Sequence, residues 1–158
     1  MIKYFYSLLT ISFFLISCST TSTIVGEDKL DLTSIYFDVV TKDLKFEGEF
    51  PNIVVLSTKK WFDSKVKING LDGDMTLFLK NYRENISFVD NGKRVDVSFD
   101  FELIIKKNSL SSKKTIAGNV KSYSSLKGTF SISDFEKLIK NTQIDLVELF
   151  SKDLRSKI

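Results

Sequence analysis

The chain has 158 residues, 42% of them apolar, 27% charged and 13% aromatic, with a net charge of +3. That length and composition suit one folded domain with a sizeable core and exclude a disordered chain. The small net charge, with Lys and Arg interspersed among Asp and Glu, argues against a nucleic-acid binder. The chain contains no histidine and one cysteine, Cys18. These counts remove the commonest general base and metal ligand, any internal disulfide and any Cys-rich zinc site.

The chain opens "MIKYFYSLLTISFFLIS", with one early positive charge at Lys3, no acid, and an apolar-dominated run from Tyr4 to Ile16. A short basic start followed by a short apolar core is the pattern of a secretory signal. The run is short for a membrane-spanning helix, which needs about 20 apolar residues. It ends in Leu15-Ile16-Ser17-Cys18, followed by a polar string of Ser and Thr. This ending resembles the bacterial lipobox. The resemblance implies that the Cys18 thiol is alkylated with diacylglycerol, that a peptidase cuts before Cys18, and that the new amino group is acylated. A thiol suits that role because it is the strong nucleophile among ordinary side chains. The alternatives are an ordinary signal with a stray cysteine or an uncleaved N-terminal anchor. Two or more buried acyl chains give stable anchoring. Ser19, rather than Asp, after the cysteine resembles the outer-membrane sorting pattern of enteric lipoproteins. Loss of Lys3 with the leader lowers the net charge of +3 by one, leaving too little for strong electrostatic docking of the whole domain.

The expected organisation is a signal peptide over residues 1–17, a lipidated N-terminus and tether over 18–29, and a single α+β periplasmic domain over 30–158. The stretch from Ser19 to Asp28 would reach about 35–40 Å when extended. "TSIYFDVV", Thr33 to Val40, is rich in β-branched and aromatic residues and predicts a first strand. "KDLKFEGEF" predicts a short extended piece. Pro51, the only proline, suits the first turn of a helix through "NIVVLSTKKWFDSKV", although the Val-Val pair leaves a strand open.

Asn69-Gly70 and Asp72-Gly73 are turn signals. A long strand is expected from Met75 to about Val89, then a hairpin at Asn91-Gly92. The next strand alternates cleanly: Val95, Val97, Phe99, Phe101, Leu103 and Ile105 are apolar, with polar residues between them. A two-residue turn at Asn91-Gly92 would place Phe88 opposite Val95, Ile86 opposite Val97, Tyr82 opposite Phe101 and Arg83 opposite Asp100. Glu84 and Lys80 would then face Phe99 and Leu103, a conflict that a bulge near Lys80 to Glu84 would relieve. A third long strand is expected from about Lys114 to Leu126. Ser133 with Glu136 reads as a capping box opening a long amphipathic helix. Phe135, Leu138, Ile139, Thr142, Leu146, Val147, Phe150 and Leu154 mark its apolar stripe.

Few residues are arranged for chemistry. Asp72 and Asp74 flank a glycine, but a calcium loop needs more ligands in series. Asp100 and Glu102 share a strand face, and paired carboxylates can cleave glycosides. Opposite Arg83 they read better as cross-strand ion pairs. Ser-rich segments have no His or Cys to activate them, and no Gly-rich phosphate loop is present. Trp61-Phe62 is either a core pair of an amphipathic helix or an interface patch.

The expected fold is α+β: an antiparallel sheet of about four strands, with a long C-terminal amphipathic helix and a shorter helix packed on one face. This layout behind a lipobox is similar to small bacterial envelope lipoproteins. In outline it resembles the auxiliary lipoproteins of ABC-type transporters and the lipopolysaccharide-assembly lipoprotein. The resemblance implies a non-catalytic accessory or interaction role, without cofactor or metal, at the periplasmic face of the outer membrane. The membrane would be engaged through the lipid, with an envelope protein as partner and no nucleic acid. The alternatives are a carrier for a lipid or apolar ligand between helices and sheet, and a wall or glycan hydrolase using Asp72, Asp100 or Glu102.

Overall fold

The computed structural model describes residues 33–158, which form six strands and two helices. In chain order they are β1 (Ile35–Phe37), β2 (Thr41–Glu47), α1 (Asn52–Lys65), β3 (Val66–Ile68), β4 (Asp74–Val89), β5 (Gly92–Lys107), β6 (Ser112–Lys127) and α2 (Ile132–Lys157). The main sheet has the order β2-β4-β5-β6, and β1 pairs with β3 in a small second sheet. This is the expected α+β architecture. The β4-β5-β6 meander is antiparallel, but β2 pairs parallel to β4, so the four-stranded sheet is mixed. The parallel pairing follows from the crossover through α1 and β3, which returns the chain to the same end of the sheet before β4 starts.

The expected first strand is interrupted. β1 stops at Phe37, Val39 donates to the Phe37 carbonyl at 3.0 Å, and the chain turns into β2. Gly70 packs against this corner so closely that a Cβ there would meet the Asp38 carbonyl carbon at 2.3 Å.

The hairpin register is two residues away from the expectation. The turn lies on Asp90 and Asn91, so Gly92 already pairs with Val89, Phe88 faces Lys93, and Ile86 faces Val95. Asn91 adopts φ 55°, a left-handed conformation that Asn tolerates better than most residues. Gly92 is needed for a different reason: its Cβ would meet the Leu126 carbonyl oxygen on β6 at 1.9 Å. The anticipated bulge is present between Lys80 and Arg83, with Asn81 at φ 56°. It turns Leu79 and Tyr82 to the same face and sends Lys80 to the other. Arg83 consequently stands opposite Ser98, and it is Lys80 that stands opposite Asp100.

Both helices cover one face of the sheet. Leu77, Leu79, Phe99, Phe101 and Leu103 from the strands meet Val54, Trp61, Leu146, Phe150 and Leu154 from the helices in one buried core. Phe150 is its centre, with Trp61, Phe99 and Phe101 rings at 5.0, 5.5 and 5.1 Å. Such tilted and edge-on aromatic contacts add to the burial of their large apolar areas. The apolar stripe of α2 is as expected, but its cap lies two residues earlier. The Ser131 side chain accepts from the Asp134 amide at 3.1 Å, and Asp134 accepts from the Ser131 amide at 3.0 Å. α1 has no side-chain N-cap; at its other end Lys42 of β2 donates to the Phe62 and Val66 carbonyls at 3.2 and 2.6 Å. The cation thereby satisfies carbonyls that the end of a helix leaves open.

Candidate interaction surface

Beyond the bulge the sheet outruns its cover. The last β2–β4 pair is Glu47 with Lys80, and Gly48 at φ 92° turns the chain away, so that, among the described residues, 83–89 of β4 pair only with β5. A strand edge left open in this way presents free amides and carbonyls. At the point of departure Tyr82 donates to Glu84 at 2.8 Å, and Gln143 of α2 donates to Glu84 at 2.8 Å and to the Tyr82 hydroxyl at 3.3 Å. Burial, together with the Glu84 bond, pushes the Tyr82 hydroxyl well above its ordinary pKa, so it stays a donor.

Past this lock, Phe88 is 85% exposed and Ile132, at the start of α2, is 81% exposed. Lys93 lies over the Phe88 ring at 5.6 Å and over the Phe135 ring at 4.7 Å, and Phe135 stacks on Phe130 at 6.1 Å. An open depression of about 270 Å³ adjoins, lined by residues of α2 including Glu136, Ile139, Lys140 and Gln143. An exposed aromatic ring beside a half-buried aromatic pair and an open strand edge is suited to contact. Neither Phe88 nor Ile132 was singled out in the sequence. The available signals were an apolar "SFV" directly before a hairpin turn and an isoleucine inside the polar cap "FSISD".

The residues that the sequence did single out are distributed differently. Cys18 and the preceding Leu15, Ile16 and Ser17 lie outside the described residues. Trp61 and Phe62 are 2% and 4% exposed and belong to the core, so they present no interface patch. Asp100 and Glu102 lie on the uncovered sheet face. Asn81 and Asn119 donate to Asp100, and Lys80 bonds Glu102 at 2.7 Å; these bonds hold both carboxyls below their ordinary pKa. The expected pairing of Arg83 with Asp100 is not formed: the ion pair across these strands is Lys80 with Glu102, and Asp100 is held by two asparagines. Asp72 lies at the other end of the sheet, where its bonds from Ser109 lower its pKa as well. A general acid for glycoside cleavage needs a raised value, the reverse of what these three carboxyls have.

The space between helices and sheet is filled by the core side chains already described. Among the described residues no group of three or more His, Cys, Asp or Glu could hold a metal ion. No helix among them is long and apolar enough to cross a membrane.

No protein-family model matches the chain, and no curated protein is similar to it in sequence. Solved structures are similar in shape. A minor lipoprotein from Acinetobacter baumannii superposes with a TM-score of 0.51 at 11% identity, covering 72% of this chain and 90% of the other. The rare lipoprotein B from Shewanella oneidensis gives 0.45 at 13% identity, over 74% and 95%. The described domain thus has the fold of the Acinetobacter protein.

Proposed function

We propose that this protein is a lipid-anchored, non-catalytic accessory protein of the bacterial envelope, held through Cys18 at the periplasmic face of the outer membrane. The observation that carries the reading is the fold shared with a bacterial minor lipoprotein over nearly all of that chain. The Leu15-Ile16-Ser17-Cys18 motif supports it independently, because a lipobox is the sequence feature such a domain needs in order to be anchored. The open β4 edge and the aromatic cluster around Phe88 support contact with an envelope protein as the working role. A carrier of apolar ligands would need a chamber between helices and sheet, where Phe99, Phe101 and Phe150 are packed.

The test compares wild type with Cys18→Ala by intact mass and membrane fractionation. The reading requires a lipid-sized mass on wild type only, and release of the variant from membranes. A variant that stays with the membrane at an unchanged mass, apart from the substitution, overturns the anchor. Pull-downs from solubilised membranes that repeatedly yield no protein would count against the accessory role.

A further inference from the structure

The opposite end of the sheet from Phe88 carries a second exposed apolar feature of different chemistry. Leu71 is 98% exposed and Leu110 is 75% exposed, each at a loop tip. The two loops are tied to each other. Asp72 accepts from the backbone amide of Ser109 at 2.8 Å and from its hydroxyl. Gly73, at φ 90°, lies so close to β5 that a Cβ would meet the Lys106 carbonyl oxygen at 2.1 Å. Lys107 then bonds Asp38 at 2.6 Å, adding the β1–β2 corner to the same platform.

The leucine tips are surrounded by lysines. Lys106 stands directly opposite Lys113, and Lys114 follows on β6. Like charges facing each other across a strand pair are unfavourable unless an anion lies between them. Asp74 flanks Lys106 on the β4 side, yet among the described residues no salt bridge engages Lys106, Lys113 or Lys114. Of the acids at this end, Asp38 is tied to Lys107 and Asp72 is held by Ser109. An open depression of about 280 Å³ runs between Lys106, Lys107 and Lys113. The nearly balanced charge of the whole chain thus hides a local concentration of lysines beside two protruding leucines.

The described chain begins farther back and reaches this end through β1. Arg155, in the last turns of α2, donates to the Thr33 carbonyl, and β1 runs from there towards Gly70 and Gly73. Lys157, next along α2, lies over the Phe101 ring at 5.1 Å, on the half of β5 nearer the Leu110 loop. A strand of 16 residues such as β4 is about 53 Å long, so the Leu71–Leu110 end and the Phe88 end lie far apart on the molecule, and a surface met end-on by one is remote from the other.

We propose that the Leu71 and Leu110 loops rest on the lipid surface to which the N-terminal segment holds the chain. The two leucines enter the headgroup region, and Lys106, Lys113 and Lys114 meet lipid phosphates. The proposal rests on the membrane-anchor reading and adds an orientation to it: the Phe88 end points away from the membrane. Apolar tips with a basic surround are what partial insertion into an anionic interface requires.

The test uses the full chain in vesicles containing phosphatidylglycerol, with a spin label on Leu71→Cys, Leu110→Cys or, as the control, Phe88→Cys. Collisions with dissolved oxygen, which concentrates in lipid, are compared with collisions with a water-soluble nickel chelate. The oxygen-to-nickel ratio is expected to be several-fold higher at positions 71 and 110 than at 88. It should fall towards the value at 88 when Lys106, Lys113 and Lys114 are all changed to Glu. Ratios at 71 and 110 equal to that at 88 overturn the proposal, as does a label shielded from both reagents, which would mean contact with a second copy. Intact mass reads the anchor separately. Lipidated Cys18 with water-exposed leucines leaves the anchor standing and removes the orientation. A raised oxygen-to-nickel ratio at positions 71 and 110 on a chain without lipid does the opposite. A chain that does not associate with vesicles removes both.

Discussion

The Trp61 indole donates to the Ser151 hydroxyl at 2.8 Å, joining the two helices through residues 90 apart in sequence. Both groups are buried, so the bond has no water to replace it. Trp61→Ala removes the ring that packs on Phe150 and is expected to cost about 3–5 kcal/mol. Ser151→Ala keeps the packing but leaves the indole N–H unpaired, at about 1–3 kcal/mol. Urea unfolding of the two variants should show this order of midpoints, and a Ser151→Ala midpoint equal to that of wild type would mean that the bond contributes nothing.

Ser131, not Ser133, holds the first turn of α2. Ser131→Ala should cost about 1 kcal/mol of stability, and Ser133→Ala close to none. Thermal unfolding of the pair decides the matter, because the two serines differ little except in the amide that Ser131 caps.

Gly92 and Gly118 are both steric necessities. A Cβ on Gly118 would come within 2.6 Å of the Phe101 ring, where one on Gly92 would meet the backbone. A ring can shift slightly and a carbonyl in a ladder cannot. Gly92→Ala should therefore exceed the usual overpacking cost of about 1–3 kcal/mol, and Gly118→Ala should fall within it. Amide exchange would place the damage from Gly92→Ala at the β5–β6 pairing beside the Asp90-Asn91 turn.

Acid should weaken the fold and mild alkali should not. The Asp72, Asp100, Glu102 and Asp134 carboxyls are all held below their ordinary values by hydrogen bonds, so each favours the folded state while ionised. That contribution is complete above the unfolded carboxylate range and is lost as pH falls through about 4 and below. Asp145 runs the other way, raised by burial and then by Glu148, and offsets part of the loss. With no histidine in the chain, stability should be flat between about pH 5.5 and 8. A step in the unfolding midpoint near pH 6.5 would contradict this account.

The long periodic segments were legible in the sequence because one period dominates each of them. Val95 to Leu103 alternates strictly, and Leu146, Val147, Phe150 and Leu154 repeat at helical spacing; the structure buries every one. The Lys80 to Glu84 conflict located the bulge because no regular strand could bury both charges. What could not be read was decided by non-local contacts or by single turns. β3 is three residues paired only with β1, too short for any period. β2 alternates, but nothing in "TKDLKFE" distinguishes a parallel neighbour from an antiparallel one. The hairpin register depended on which two residues form the turn: Asp90 and Asn91 form it in place of the expected Asn91 and Gly92, with Asn91 left-handed. Of the surfaces, the lysines around Leu110 were visible as "KKNSLSSKK". Their meeting with Leu71 was not, because it depends on a bond between Asp72 and Ser109.

The parallel placement of β2 also imposes an order of assembly. Chains are made from the N-terminus, and β2 precedes every strand of the main sheet, yet its only strand partner is β4. The β4-β5-β6 meander closes through two short turns and can form from neighbouring sequence alone. β2 must wait while α1 and β3 are laid down, keeping Leu44 and Phe46 unsheltered until Leu77 and Leu79 arrive beside them. The N-terminal quarter of the domain is therefore the first to be synthesised and the last to close. It is the segment in which a holding chaperone, or a slow step in folding, would be found.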